Sequence, residues 1–405
     1  MKKKEILFVS MFAPYDEVPH AGGKVHNYYV KQLKKRDNVH FKLISMCYAK
    51  EKAKLDLEKY EIENDIIVLD KNIFNKNIRK AISGFSYINP FDKYGNTLLN
   101  YERFQIKRKI KKYKREGNIP DIIILQWTQI AFLLPYIKKL FPNSKYAVIE
   151  EDVLFLNFQR RIQLANTVFK KIIAKYQFYK IKKLELEVLR EADVIVTNNP
   201  KDTKLLHDNG LAEQKIFTST VFFEDFSNID HETHNKNILF YGAMNRLENC
   251  LSVKWFVDNV FPFIEDNEVQ LIIIGGNPTK EILDMQNERI VVTGYVNDVA
   301  QYFKNCMCMV APLVLGAGIK VKVLEAMSAG VPILTNDIGM EGINAQNGIH
   351  YFHCNTPEDY LQKIKLLADN KIDISNMSKE MKRFIKKEYD IHVKVNEFYD
   401  MILRV

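Results

Sequence analysis

Short apolar segments alternate with longer amphipathic stretches along the whole chain, and the segments fall into two series. Each segment is about four to six residues long and apolar on both faces, which is typical of parallel β-strands covered by helices. The first series comprises residues 6–10, 41–46, 66–69, 122–126, 146–149 and 194–197. The second series comprises residues 237–241, 270–274, 290–293, 307–311 and 331–335. Helical periodicity intervenes at residues 23–35, 131–140, 201–209, 252–261 and 322–329.

This alternation predicts an α/β protein with two Rossmann-like, doubly wound domains. The seam is the polar segment 226–236, which has no apolar periodicity. We therefore expect an N-terminal domain at residues 1–228 and a C-terminal domain at residues 237–375. The last segment, 376–405, has apolar residues at helical spacing and is predicted to form a helix that packs back on the first domain.

Composition and charge exclude a disordered protein and indicate what kind of partner the chain binds. The chain has 405 residues, of which 47% are hydrophobic, so it can bury large cores and is not disordered. The net charge of +9 is unevenly distributed, because residues 1–230 carry a net +13 and residues 231–405 a net −4. The N-terminal half is therefore suited to an anionic partner.

The chain shows no pattern typical of a metal site or of secretion. Its five cysteines are scattered, and no His or Cys lies at zinc spacing, which predicts no metal and a reducing compartment. The apolar run after Lys2–Lys4 fits a buried first strand better than a signal peptide. No stretch approaches 18 apolar residues, so we expect a cytoplasmic protein, placed at the inner face of the cell membrane if its basic surface binds lipid.

The stretch 312–343 carries the most informative motif. A strand ends at Pro312, and the glycine-rich turn 316–318 precedes a helix that begins near Val321 and ends at Gly330. Backbone N–H groups at such a helix start favour a phosphate, and Lys320 and Lys322 add positive charge there. Glu325 lies one turn further on, where a carboxylate can accept hydrogen bonds from ribose hydroxyls. A simple helix stop explains Gly330 and the following Val-Pro, but not this group of residues.

This stretch resembles the donor-binding signature of the retaining family 4 glycosyltransferases, which have the GT-B fold. The matching positions are Gly316, Gly318, Lys322, Glu325, Ala326, Met327, Gly330, Pro332, Gly339, Glu341 and Gly342. Segments 192–195, 240–245, 274–276 and 293–296 also resemble the family, strongly over most of residues 190–370 and weakly over the first 150. Ala317 departs from the acidic residue that many members have, and Ala243 from their usual arginine.

The resemblance implies two Rossmann-like domains facing a cleft, and a sugar moved from a nucleoside-diphosphate sugar to a glycan or lipid-linked acceptor with retention. It implies metal-independent catalysis in which Lys322 and Lys320 stabilise charge on the departing β-phosphate. A UDP-sugar is favoured over a GDP-sugar, and no further cofactor is expected. The implied donor-binding residues are Gly242, Arg246, Tyr295, Val296, Gly316, Gly318, Ile319, Val321, Glu325, Gly339 and Glu341.

The first domain supplies candidates for the acceptor or sugar side. Gly22 and Gly23 follow the first strand, where the family approaches the reacting sugar, although the pair also fits a simple turn. His26 fits a packing role as well as a catalytic one. Glu151 and Asp152, with Glu150, follow a predicted strand and either orient an acceptor hydroxyl or form an acidic first turn of the next helix.

Two basic segments, 71–115 and 157–183, form the second strong signal. The first carries 13 Lys or Arg against two acidic residues, and the second carries eight Lys or Arg and no acidic residue, interleaved with aromatic side chains. This pattern favours peripheral contact with an anionic membrane, with a solvated helix face as the alternative. No nucleic-acid-binding motif is recognisable, so nucleic acid is not an expected partner.

Two other classes of function stay open. One is another sugar-nucleotide enzyme on the same architecture, such as an epimerase, because fold does not fix function. The other is a catalytically degenerate binding or scaffold protein that keeps the GT-B fold. Turnover of a nucleotide sugar separates a transferase from a binding protein.

Overall fold

The computed structural model describes residues 3–18, 21–69, 97–165, 167–219, 222–232, 235–315 and 319–404. The chain divides into two compact units. Unit 1 comprises residues 1–219 together with 393–405, and unit 2 comprises residues 220–392. Each unit is built on a parallel β-sheet with helices on its faces, as the two series of apolar segments predict.

Unit 1 contains a seven-stranded parallel sheet in the order β3-β2-β1-β4-β5-β6-β7. Its strands are β1 Lys4–Ser10, β2 Val39–Tyr48, β3 Glu63–Leu69, β4 Ile122–Gln126, β5 Lys145–Glu150, β6 Val194–Thr197 and β7 Ile216–Thr218. The central strands are buried on both faces, and every residue of β4 is buried. This double burial is why the sequence shows continuous apolar runs rather than alternation.

The described helices of unit 1 cover both faces of this sheet. They are α1 Ala21–Lys34, α2 Asn100–Arg115, α3 Thr128–Ala131, α4 Leu134–Leu140, α5 Leu154–Leu164, α6 Val168–Glu191 and α7 Pro200–Asp208. Polar caps fix several of their starts: the Thr167 hydroxyl accepts from the Lys170 N–H, and the Asn199 side chain accepts from the Asp202 N–H.

Unit 2 contains a six-stranded parallel sheet in the order β10-β9-β8-β11-β12-β13. Its strands are β8 Asn237–Tyr241, β9 Gln270–Ile274, β10 Ile290–Gly294, β11 Cys308–Ala311, β12 Ile333–Thr335 and β13 Phe352–His353. Its described helices are α8 Leu247–Asn259, α9 Lys280–Leu283, α10 Ala300–Asn305, α11 Val321–Ser328, α12 Pro357–Ala368, α13 Ile374–Glu388 and α14 Ile391–Leu403, whose residues from Val393 onward belong to unit 1.

Gly330 ends α11 for two physical reasons. Its φ of +77° lies in the left-handed region, and a Cβ atom there would lie 2.0 Å from the Ser378 hydroxyl of α13. Only glycine satisfies both demands. The helix stop that the sequence predicts at this position is therefore also a packing contact between two helices of unit 2.

The predicted C-terminal helix over 376–405 is wrong in its extent, because two helices occupy this region. α13 buries Met381, Phe384 and Ile385 in the core of unit 2. The chain then breaks at Tyr389, and α14 buries Phe398 and Tyr399 in the core of unit 1. The Tyr399 hydroxyl donates to the Tyr29 carbonyl at 2.8 Å. Only the second helix returns to the first domain.

The boundary between the units, at Ser219 and Thr220, falls earlier than the predicted seam at 226–236. Phe223 and Phe226 are buried in the core of unit 2, and the Phe226 N–H donates to the Ser328 hydroxyl of α11 at 2.9 Å. Residues 222–228 therefore pack with unit 2 rather than ending the first domain. The two short strands β7 and β13 were not predicted, since three and two residues are too few to leave a pattern.

Among the described residues, no helix is both long and apolar enough to cross a membrane.

Candidate functional site

The order of strands in unit 2 fixes where a ligand can bind. β8 and β11 are neighbours at the centre of the sheet, and the chain leaves them toward opposite edges. In open parallel sheets, the crevice at such a switch point, outside the carboxyl ends of the strands, is the usual ligand site. The loop after β8 and the described residues between β11 and α11, 312–315 and 319–320, both lie there. Among the predicted donor-binding residues, Gly242 and Arg246 lie in the first of these segments and Ile319 in the second. Val321 and Glu325 lie in α11, Tyr295 and Val296 follow β10, and Gly339 and Glu341 follow β12.

Glycines allow the loops at this edge to pack backbone against backbone. A Cβ atom on Gly275 would lie 1.7 Å from the carbonyl oxygen of Gly242, so any side chain there would force the two loops apart. The Met244 N–H also donates to the Gly276 carbonyl at 3.0 Å. The backbones of the loops after β8 and β9 are therefore in direct contact.

Lys322 is a half-buried cation at this edge. Its Nζ donates to the Asn249 side-chain oxygen at 2.9 Å and lies 4.7 Å from the centre of the Phe240 ring. Burial lowers the pKa of Lys322 to about 7; Glu248 opposes this shift, while Lys320 and Arg246 add to it. An anion bound beside the ammonium group would stabilise its charged form.

Asn249 is a site residue that the sequence reasoning missed. Its side chain is 6% exposed and uses both ends: the amide nitrogen donates to the Ala243 carbonyl at 2.9 Å, and the oxygen accepts from Lys322. It therefore ties the loop after β8 to the start of α11. The available signal was its spacing, because it precedes the buried Val253 and Phe256 by four and seven residues on one helix face.

The second lysine of the motif lies next to another predicted segment. The Nζ of Lys320 is 3.5 Å from a carboxylate oxygen of Glu341, and the lysine side chain is largely buried. A Cβ atom on Gly342 would lie 2.8 Å from Ile319, so the segment after β12 packs closely on the residues before α11. Gly339 is held in this segment by its N–H, which donates to the Asn336 side chain at 3.1 Å.

Glu325 lies one turn into α11 and is buried. It accepts a hydrogen bond from the backbone N–H of Glu224 at 3.4 Å and contacts the Tyr241 hydroxyl. Burial, together with the charge of Glu325, raises the pKa of Tyr241 well above its ordinary value. The carboxylate is thus fixed from two sides at the end of β8.

The remaining predicted donor residues differ in their exposure. Arg246 is mostly exposed and pairs with Glu248 at 2.7 Å. Tyr295 directly follows β10, is 78% exposed and packs beside Gly276, whereas Val296 and Val321 are partly buried. Gly316 and Gly318 lie outside the described residues. In the part of the chain that the structure describes, no group of three or more His, Cys, Asp or Glu side chains is arranged to hold a metal ion.

The structure separates the three adjacent carboxylates of unit 1. Glu150 is buried, accepts from the Thr128 hydroxyl at 2.6 Å and pairs with Glu185, so burial raises the pKa of both members of this pair. Glu185 accepts from the Leu154 and Phe155 N–H groups at the start of α5. The alternative in which these carboxylates form an acidic first turn of this helix is therefore wrong: Glu185 from α6 accepts from its first N–H groups instead.

Glu151 and Asp152 have different surroundings. Glu151 accepts from the side-chain amides of Gln126 at 2.6 Å and Asn198 at 2.9 Å, and burial raises its pKa to about 7. Asp152 is exposed. A Cβ atom on Gly22 would lie 3.7 Å from Glu151, which brings these two predicted residues together.

The other two predicted residues of this region are buried. His26 is fully buried and packs against the rings of Phe8 and Trp127 at 5.4 and 5.2 Å between ring centres. Gly23 is buried within the first turn of α1. Their positions make them part of the packing beneath the strand ends.

The basic segment 157–183 contains one exposed apolar stripe. On α6, the side chains of five residues at helical spacing are more than two-fifths exposed: Val168, Phe169, Ile172, Tyr176 and Tyr179. Exposed lysines such as Lys171 and Lys175 lie beside them. Of the other basic segment, residues 71–96 lie outside the described residues, and in residues 97–115 the Lys109 ammonium pairs with Asp65 at 2.6 Å.

Comparisons with known proteins agree with this architecture. Residues 235–370, about a third of the chain, match the family model described as "Glycosyl transferases group 1". A Klebsiella pneumoniae protein described as "Uncharacterized 44.6 kDa protein in cps region" is 22% identical over 312 residues, covering 73% of this chain and 78% of that protein.

Solved structures match over the whole chain. Anabaena HepE, crystallised with UDP, has a TM-score of 0.65 at 10% identity and covers all of both chains. A glycosyltransferase from Rickettsia africae has a TM-score of 0.64 at 14% identity and covers 99% of this chain and 98% of its own. TarM has a TM-score of 0.61 at 13% identity and covers 98% of each chain. The fold is GT-B, and together with the family match it supports a GT-B glycosyltransferase.

Proposed function

We propose that this protein transfers a sugar from a nucleoside-diphosphate sugar to a glycan or lipid-linked acceptor, with retention of the anomeric configuration, in surface polysaccharide synthesis. The observation that carries the proposal is the position of Lys322, a half-buried lysine at the strand switch point of the unit that matches the family model. A UDP-sugar is the favoured donor, since HepE was crystallised with UDP, and a GDP-sugar is the alternative.

The chemistry follows from charge. Cleavage of the sugar–phosphate bond leaves negative charge on the β-phosphate, and preorganised cations lower the free energy of that state. Lys322, fixed by Asn249, and Lys320, fixed by Glu341, would supply this charge without a metal ion. Glu325, held near Tyr241, would accept hydrogen bonds from the ribose, and Tyr295 and Val296 would contact the base.

The test is a thermal-shift panel of UDP-, GDP-, ADP-, CMP- and TDP-sugars in the presence of EDTA. Ligand at a hundred times its Kd stabilises the folded state by about 2.7 kcal/mol, so a donor raises the melting temperature clearly. We expect one nucleotide class to respond and to be turned over in EDTA. Absence of a response from every nucleotide would contradict the proposal and favour a degenerate binding protein.

We further propose that the exposed stripe of α6 contacts an anionic membrane surface. Aromatic and aliphatic side chains flanked by lysines suit the boundary between headgroups and acyl chains. Each lysine near an anionic leaflet contributes about 1 kcal/mol of binding free energy.

Vesicle co-sedimentation tests this contact. We expect the protein to bind phosphatidylcholine vesicles that contain phosphatidylglycerol, and the double variant Phe169→Ser with Ile172→Ser to lose that binding. Leu283→Ser, at an exposed apolar residue of unit 2, is the matched control and should bind like the wild type. Equal binding of the double variant would show that α6 is only a solvated face.

A further inference from the structure

Unit 2 contains a cavity lined by both segments through which the chain passes to and from unit 1. The chain leaves unit 1 after Ser219 and returns to it at Val393. Residues from 223–227 and from 389–392 line this linker cavity together with the last two turns of α13, and all of them belong to unit 2. Its volume is about 680 Å³, which is in the range of pockets that bind small molecules.

One side of the linker cavity is apolar and the other is basic. Phe223, Ile385 and Tyr389 are core residues of unit 2 that line the apolar side. On the basic side, Lys386 is exposed, and among the residues that the structure describes its side chain forms neither a hydrogen bond nor an ion pair. Arg383, one helical turn before it, is also exposed. A ligand with an apolar part and an anionic group therefore matches both sides.

The carboxylates of the cavity are held by donors of their own segments. Asp225 accepts from the Ser227 N–H at 2.9 Å and from the Ser227 hydroxyl at 3.1 Å. Asp390 accepts from the His392 N–H at 2.9 Å. Hydrogen bonds to their charged forms stabilise these two carboxylates without the cations of α13.

The third cation of the cavity, Lys382, donates to the main-chain carbonyl of Ser227 at 3.2 Å rather than to a carboxylate. Three cations thus face two carboxylates, which leaves the cavity with an excess of positive charge. This excess favours an anion.

We propose that the linker cavity is a regulatory site for a small phosphorylated compound with an apolar ring or chain. Its phosphate would bind Arg383 and Lys386, because a guanidinium and an ammonium group form charge-assisted hydrogen bonds with phosphate oxygens. Its apolar part would contact Phe223 and Tyr389.

The regulatory role follows from hydrogen bonds that join both connecting segments to the donor edge. The N–H of Glu224, which lies between two residues of the cavity, donates to Glu325 at 3.4 Å. The Tyr389 hydroxyl donates to the carbonyl of Gly342, the neighbour of Glu341, at 3.3 Å. A ligand that moves these segments therefore also moves residues proposed to bind the donor. This role rests on the proposed transferase function, whereas the cavity itself does not.

Fluorescence titration with α-naphthyl phosphate tests the cavity, because this probe joins an aromatic ring to a phosphate. We expect saturable binding to the wild type, weaker binding of α-naphthol, and a loss of probe affinity of about tenfold or more in Lys386→Glu, which places an anion beside the phosphate. Lys379→Glu, at an exposed lysine of α13 that does not line the cavity, is the matched control and should bind the probe like the wild type. Both lysines are exposed, so both variants should unfold at the urea concentration of the wild type.

The variant Lys322→Ala separates the linker cavity from the donor edge. Its probe affinity should equal that of the wild type. The cavity proposal is overturned if no probe binds, if Lys386→Glu binds it as tightly as Lys379→Glu does, or if only Lys322→Ala loses it.

Titration calorimetry with UDP, with and without saturating probe, tests the regulatory role. We expect the probe to change the affinity for UDP about fivefold or more in the wild type and not in Lys386→Glu, and UDP to change the affinity for the probe by the same factor. Equal UDP affinity with and without the probe would overturn the regulatory role. The transferase proposal fails separately, if no nucleotide sugar binds, because the probe titration contains no nucleotide.

Discussion

The two units use the same sheet topology at their switch points but place opposite charges there. In unit 2, the edge between β8 and β11 presents Lys322 and Lys320. In unit 1, the carboxyl edge of the sheet presents Glu151 after β5, held by Gln126 at the end of β4 and Asn198 after β6. In both units, a side-chain amide forms a hydrogen bond to the charged group. One residue therefore determines the sign of the charge at the edge, and a neighbouring amide determines where the charged group lies.

This difference shows that the fold determines the position of a ligand site and the charge determines its ligand. A buried ammonium group favours phosphate, whereas a carboxylate surrounded by amides favours hydroxyl groups. A transferase needs both kinds of site, one for an anionic donor and one for a polyol acceptor. The following predictions test whether the unit 2 edge binds phosphate and the unit 1 edge does not.

Lys322→Ala is expected to have the largest effect. Removing a preorganised charge that acts on the leaving group lowers kcat by about 10²–10³-fold. Lys280→Ala, at an exposed lysine of unit 2, is the control and should keep full activity. The measurement is initial rates of sugar transfer with the donor found by the nucleotide panel. Full activity of Lys322→Ala would remove the phosphate role from this edge.

The two fixing amides offer a matched pair of variants. Asn249→Ala removes the hydrogen bonds to Lys322 and Ala243 and is expected to weaken UDP binding about tenfold. Asn198→Ala removes the bond to Glu151 and should leave UDP binding unchanged. Titration calorimetry with UDP distinguishes them. Asn249→Asp should raise the pKa of Lys322, and hence move the fall in UDP affinity to higher pH. If both alanine variants bound UDP as tightly as the wild type, the prediction that the unit 2 edge binds the phosphate would be contradicted.

The dependence of stability on pH should have opposite sign at the two edges. The pKa of Lys322 falls from 10.5 to about 7 on folding, so the folded state binds fewer protons and its contribution to stability rises between about pH 7 and 10.5. The pKa of Glu151 rises from 4.5 to about 7, so its contribution falls between about pH 4.5 and 7.

Urea unfolding of Lys322→Met and Glu151→Gln against the wild type measures these contributions. We expect the difference in unfolding free energy to change with pH only in the window of the residue that was replaced. A difference that stays constant across its window would show that the group titrates with its ordinary pKa.

Most of the fold was predictable because the strands are buried on both faces. The segments 122–126, 194–197, 237–241 and 270–274 have the same limits in the sequence pattern and in the structure. The break at Tyr389 was not predictable, since apolar spacing continues through it and only the cores of the two units separate Phe384 from Phe398.

The residues at the unit 2 edge were more predictable than those at the unit 1 edge for a physical reason. Lys320, Lys322 and Glu325 lie within six consecutive residues, so their proximity follows from one helix start. Gln126, Glu151 and Asn198 are far apart in sequence and meet only because β4, β5 and β6 are neighbours. The backbone of Trp127 has a φ of +72°, which is rare for a residue other than glycine, and neither composition nor residue spacing predicts it.

The return of α14 to unit 1 has a consequence for how the chain is made. Phe398, Tyr399 and Ile402 complete a core whose strands were synthesised first, and all of unit 2 lies between them in sequence. The residues of unit 1 are therefore all present only after the whole of unit 2 has been synthesised. Until α14 has been synthesised, residues 1–219 lack the side chains that complete this core, and the apolar surface that α14 covers stays exposed.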